Sequence, residues 1–255
     1  MTAASTTALT AALRTSHDRL VALVEPLDAD GVRQPSYDPG WPIAQVVSHL
    51  GSQAEIFGLF LDTALGGAEP PAPERFPEIW GVWDAKDPAA QAADGLAADR
   101  TFLERVEGLT EEQRSTARLD LFGAERDLAD LLRMRLGEHA LHTWDVAVAL
   151  DDTATLAPDA VDLLVDGLDQ IVGGTGRAEA LPGPVGIRTT APERAFLLTP
   201  GETGVALTEG AAEESAEESA EGPTIPAEAF VRLVYGRLDP AHTPAFPRDE
   251  GLLAA

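Results

Sequence analysis

Four stretches within the first 150 residues repeat apolar side chains at helical spacing, and this repetition constrains the fold more than any other feature. Between Thr6 and about Leu27, the residues Leu9, Leu13, Leu20, Val21 and Val24 form one stripe of an amphipathic helix that Pro26 helps to end. The turn-forming run DADGVRQPSYDPG follows. Pro42, after Trp41, suits the first turn of a second helix, where amides have no intrahelical acceptor. Ile43, Val46, Val47, Leu50, Ala54, Phe57 and Leu61 supply the buried face of that helix, and Gly66 and Gly67 its exit. The proline-rich GGAEPPAPERFPEIW predicts no regular structure. A third helix follows over PAAQAADGLAADRTFLERVEGL, with Leu96, Leu103 and Val106 inward and Gly95 costing about 1 kcal/mol relative to alanine. RLDLFGAE reads as a short extended link. From about Asp127 to Leu150 a fourth helix sets Leu128, Leu131, Leu132, Leu141, Trp144 and Val148 on an apolar arc. Four long helices in this span predict an antiparallel four-helix bundle over residues 1–152.

After Asp151 the character changes. Pro158 opens a helix through Val172, GGTGR breaks it, and GIRTT, RAFLLTP and GVALTEG read as short strands. PAEAFVRLVYGRL is a further helix carrying Phe230, Leu233 and Val234, before a proline-broken tail. Residues 153–255 are therefore expected to form a small α+β domain, and the chain as a whole falls in the α+β class. Within that domain the acidic loop 209–222 carries glutamate at 209, 213, 214, 217, 218 and 221, too polar and uniform to pack.

Charge and cysteine content narrow the chemistry. With 18 basic against 43 acidic residues the formal net charge is -25, which repels phosphate backbones and anionic headgroups and argues against nucleic-acid or membrane partners. The absence of cysteine excludes disulfides, a cysteine nucleophile and thiolate metal ligands, so any metal must be held by histidine and carboxylate. No stretch reads as a signal peptide or a membrane span, and a cytoplasmic monomer or homodimer is expected.

Five histidines are present, and each can be weighed. Glu138 and His142 stand four apart and share a face of the fourth helix. His49, in the middle of the second helix, is the natural third member of a two-imidazole, one-carboxylate set suited to zinc or another divalent ion. A Glu/His pair at this spacing also occurs on solvated helix faces, and His49 alone reads equally as a hydrogen-bonded core histidine. Apolar neighbours around all three make them costly to bury unpartnered, which favours a shared ligand. His139 points about 100 degrees away from Glu138 and reads as structural or exposed. Asp145 could orient His142 or be a surface carboxylate. His17 reads as a packing residue, and His242 shows no partner.

PSYDPGWPIAQVVSHLGSQAEIF, followed by LLRMRLGEHALHTWDVAVAL, resembles the mycothiol-dependent maleylpyruvate isomerase family. Trp41 and His49 keep that family's spacing, and Arg135, Glu138, His142 and Asp145 occupy its second block. The resemblance implies a DinB-like bundle with zinc on His49, Glu138 and His142, and a sterol-carrier-like second domain. LVYGRL is similar to the end of a helix in that domain. By this resemblance Arg237 faces the cleft and binds an anionic substrate or the thiol cofactor, while a plain reading makes it a solvated arginine favouring the helix dipole. An arginine after the second helix acts in some members, and Arg75 is the one available. The implied activity is conjugation of mycothiol to a small electrophile, or cis–trans isomerisation of one, by a metal-activated thiolate. Two other readings stay open: a zinc hydrolase using metal-bound water, and a noncatalytic small-molecule-binding protein.

Overall fold

In the computed structural model of the chain, residues 5–121, 123–202, 204–210 and 222–243 are described. They fall into two compact units, Met1–Ala160 and Val161–Ala255. The first holds α1 (Thr6–Val24), α2 (Ile43–Ala64), α3 (Arg75–Asp84), α4 (Pro88–Glu107), the short α5 (Glu111–Thr116), a hairpin of β1 (Arg118–Leu121) and β2 (Ala124–Asp127), and α6 (Leu128–Leu150). Local chemistry marks the boundaries. Ser5 caps α1, Asp87 caps α4 with Pro88 in its first turn, and Asp127 caps α6 through a reciprocal box with Asp130, each meeting amides that have no intrahelical acceptor.

The four long helices form the bundle expected from their stripes, with Leu9, Leu20, Val46, Leu50, Leu61, Leu131, Leu132 and Leu136 fully buried. α6 runs against α2, since Leu50 lies by Arg135 and His49 by Glu138. α4 runs against α1, since His17 lies by Asp99 and Arg14 by Glu107. α2 and α4 depart from the antiparallel expectation and lie parallel, Gln45 meeting Gln91 at one end and Asp62 meeting Arg105 at the other. A parallel pair needs a connection that returns the whole length of the bundle. That connection carries α3, which corrects the expectation of irregular chain. The prolines at 70, 71 and 73 precede the helix, and Pro77 falls in its first turn, where a missing amide costs nothing. Ile79 and Trp83 are its buried anchors.

α2 and α4 approach so closely at Gly51 and Gly95 that neither position has room for a side chain. A Cβ at Gly95 would stand 2.4 Å from the Val47 carbonyl oxygen, and one at Gly51 would stand 2.5 Å from the Trp83 ring. The helix-weakening Gly95 is thus the condition for this contact.

The second unit contains a four-stranded sheet in the order β5-β4-β3-β6: β3 (Val185–Thr190), β4 (Arg194–Pro200), β5 (Val205–Glu209) and β6 (Thr224–Pro226). β3–β4 and β4–β5 are antiparallel, and β6 joins β3 in parallel. The first three strands match the sequence segments, while β6 was hidden by its shortness and its proline. The helix expected from Pro158 to Val172 is broken instead into α7 (Pro158–Leu164), a 3-10 turn and α8 (Asp169–Thr175). α9 (Ala227–Val234) places Phe230 against Phe196 of β4 at 5.1 Å between ring centres. An apolar cavity of about 270 Å³ is lined by Val172, Leu181, Leu198, Val205, Phe230 and Gly236, among others. The acidic run from 211 to 221 and the tail from 244 lie outside the described residues. Among the described residues no helix is long and apolar enough to cross a membrane.

Gly95→Ala is expected to lower stability by about 1–3 kcal/mol, because overpacking against a backbone carbonyl outweighs the roughly 1 kcal/mol gained in helix propensity. Thermal unfolding checks this, and a Tm equal to or above wild type would contradict the close approach.

Candidate metal centre

His49 on α2 and Glu138 and His142 on α6 converge, with one donor atom from each within 4.8 Å of the others. His49 Nε2 lies 3.2 Å from Glu138 Oε2, and His142 Nε2 lies 3.8 Å from the same oxygen. Burial opposes ionisation of Glu138, yet the His49 hydrogen bond and the charges of His142, His49 and Arg135 hold its carboxyl below the usual carboxylate range. The three are less deeply buried than their apolar neighbours in sequence imply. Side-chain exposure is 19% for His49, 37% for Glu138 and 10% for His142, so the donors face a half-open recess.

Asp145 is buried and accepts the Nδ1 proton of His142 at 2.8 Å, which selects the orienting role over the surface one. Asp38, His142 and Asp145 also come together, on the Nδ1 side of the ring where Asp145 already takes the proton. Trp41, seen in the sequence only as a helix opener, lies over the imidazoles: its ring centre is 6.1 Å from His142, nearly parallel to it, and 5.2 Å from that of His49. The PSYDPG loop holds Trp41 there. Ser36 binds the Trp41 carbonyl through its amide and its hydroxyl, and the Tyr37 amide donates to the Asp145 carbonyl at 3.0 Å.

A second polar cluster lies in the core. Asp99 on α4 accepts from His17 Nδ1 at 2.6 Å and His139 Nε2 at 2.8 Å through Oδ2, and from Arg135 Nη2 at 2.6 Å through Oδ1. Burial pushes the Asp99 carboxyl up, but His139, His17 and Arg135 together hold it well below the usual range. Burial lowers His139 below the ordinary imidazole value. The neutral ring then donates from Nε2 to Asp99 and accepts the Ser16 hydroxyl at Nδ1, 2.7 Å away. Ser16, His139 and Asp99 stand in the order of a hydrolase's nucleophile, base and carboxylate, but all three are sealed in the core, out of reach of a substrate.

This cluster decides one reading and extends another. His139 is structural and not exposed, and His17 is a hydrogen-bonding residue as much as a packing one. Asp99 escaped notice altogether. It stands three residues after Leu96 and four before Leu103, inside the apolar stripe, where a carboxylate signals a buried partner.

The remaining candidates lie elsewhere. Arg75 opens α3 half-exposed, 3.0 Å from Glu78 and 3.8 Å from Glu55. Arg237 belongs to the second unit. Gly236, at a φ of 70°, reverses the chain after α9, and the amides of Gly236 and Arg237 return to the carbonyls of Leu233 and Arg232. The glycine of LVYGRL is thereby explained. His242 does have a partner, Asp239, at 2.9 Å.

Asp99→Asn is expected to cost about 3 kcal/mol near neutrality, because it leaves the buried Arg135 charge uncompensated. A folded-state carboxyl held low stabilises fully above its unfolded value of about 3.9, and that stability disappears as pH falls through the folded value. The gap in stability between wild type and variant should therefore close in acid. A gap independent of pH down to acid unfolding would contradict the assignment.

No curated protein matches the sequence. Over 98% of this chain and 100% of the other, the fold is similar to a crystal structure of the mycothiol-dependent maleylpyruvate isomerase, with a TM-score of 0.66 at 15% identity. A histidine-to-alanine mutant of that isomerase matches with a TM-score of 0.64, again at 15% identity and the same coverage. The family model for the mycothiol maleylpyruvate isomerase N-terminal domain matches residues 13–147, more than half of the sequence. The chain thus belongs to the mycothiol maleylpyruvate isomerase N-terminal domain family.

Proposed function

We propose that this protein is a divalent-metal enzyme that uses mycothiol to attack a small anionic electrophile, either conjugating it or isomerising it between cis and trans forms. The observation that carries the proposal is the convergence of two imidazole nitrogens and one carboxylate in a half-open recess. A tetrahedral ion with metal–ligand distances of about 2.1 Å separates its donors by roughly 3.4 Å, and the contacts of 3.2 and 3.8 Å bracket that value. The set fits zinc. When bound, zinc lowers the pKa of a thiol and holds the thiolate beside an electrophile.

The chain's own residues do the rest. Asp145 keeps the proton of His142 on Nδ1 and leaves Nε2 directed at the site. His49 Nε2 lies 3.2 Å from Glu138 Oε2, and the two would hold the ion together. Trp41 covers the imidazoles and limits the approach of water. Arg237 is assigned to binding an anionic group, of the substrate or of the thiol, in the second unit. It lies between Gly236 and Leu238, which both line the apolar cavity of the second unit, so a charged group there adjoins a surface suited to a small organic acid.

Elemental analysis of gently purified protein should find stoichiometric divalent metal, lost in His49→Ala and His142→Ala. Asp145→Asn should bind metal about 10–100-fold more weakly. Wild type that neither carries metal nor takes up added zinc would defeat the proposal. Mycothiol should be required for turnover, unchanged in amount if the enzyme is an isomerase and consumed if it is a transferase; thiol-independent turnover would point to the hydrolase reading. Arg237→Ala should raise KM for the anionic substrate or for the thiol about tenfold or more, the loss of a charged hydrogen bond, with metal content unchanged.

A further inference from the structure

Arg135 is fully buried, an expensive placement for a guanidinium, and the proposed ligand set leaves it without a task. It stands three residues before Glu138 and seven before His142, on the same face of α6. Its Nη2 donates both to Asp99 Oδ1, at 2.6 Å, and to the carbonyl oxygen of Leu50, at 3.0 Å. Leu50 follows His49. The rings of Phe57 and Phe102, each centred 5.8 Å from the guanidinium carbon, flank the group, while Nε and Nη1 have no hydrogen-bond partner among the described residues. A buried pair of this kind adds little stability over apolar residues of the same volume, so stability alone does not account for it.

What such a pair does supply is direction. Apolar packing between α2 and α6 is non-directional and tolerates sliding and rotation. The bond from Arg135 to the Leu50 carbonyl sets the height of α2 on α6 at the residue beside His49. Asp99 keeps the guanidinium in that pose, and it binds His139, the neighbour of Glu138, which fixes the rotation of α6. Ser16 on α1 holds the other nitrogen of the same ring.

We propose that Arg135, held by Asp99, is a positioning residue that sets the separation of His49 from Glu138 and His142, and thereby the affinity and geometry of the metal site. The inference rests on the reading of those three residues as ligands.

Cobalt(II) titration of metal-free protein, followed by visible absorption and by competition with a chromogenic chelator, tests it without reference to turnover. Three variants are compared with wild type. Asp99→Asn removes the charge that holds Arg135. The double variant Arg135→Met/Asp99→Leu replaces the pair by apolar groups and leaves no orphan charge; it does strand the buried N–H groups of His17 and His139, so thermal unfolding first establishes that it is folded. Leu9→Ala weakens the bundle near the end where Thr10 meets Arg114, away from Leu50. The first two should bind cobalt about 10–100-fold more weakly and with displaced absorption bands, while Leu9→Ala should bind it with wild-type affinity and bands. A folded Asp99→Asn or double variant with wild-type affinity and spectrum would overturn the inference, as would an equal loss in Leu9→Ala. Wild type that binds no cobalt overturns the metal reading itself and this inference with it.

Discussion

One buried carboxylate ties the bundle together. Asp99, on α4, is bonded to His17 of α1 and to His139 and Arg135 of α6, and through Arg135 it reaches the backbone of α2. All four long helices therefore meet at a single charge. A carboxylate in the core is tolerated only when its negative charge is compensated and its oxygens are fully hydrogen-bonded. Two imidazoles and one guanidinium meet that demand, which is why three helices each place a polar residue inside an apolar stripe.

The close contact of α2 with α4 is the second constraint, and it works through missing side chains. Gly51 and Gly95 let the two backbones approach, and Trp83 of α3 seals the space beside Gly51. Because α2 and α4 run parallel, the chain between them has to return along the bundle, and α3 gives that return its buried anchors. The same helix donates from the Trp83 indole to Glu55 of α2 at 3.1 Å. The proline-rich connection is thus part of the bundle's architecture.

The recess holding His49, Glu138 and His142 differs from the core cluster in kind. Its donors share one side open to solvent, its carboxylate meets two histidines at longer distances, and it has Trp41 over the rings. The core cluster has short hydrogen bonds and a resident arginine cation, an arrangement that needs no metal. Two histidine–carboxylate groups lie within one turn of α6, and exposure and neighbouring charge separate a site for a ligand from an element of the scaffold.

The sequence by itself determined the four long helices, three of the four described strands of the second unit and the shared face of Glu138 and His142, because each follows from local periodicity. It also carried the spacing from Trp41 to His49 on which the family resemblance rests. Periodicity states which face of an element is inward and says nothing of what that face meets. Only the tertiary structure decided that Asp99 lies opposite His17 and His139, that Arg135 reaches the carbonyl next to His49, that Trp41 covers two imidazoles, and that a helix-weakening glycine at position 95 allows two helices to touch. Apart from the contact of Trp41 with His49, each of these joins residues dozens of positions apart through one hydrogen bond, ring contact or steric limit, and such a pairing exists only once the helices have packed.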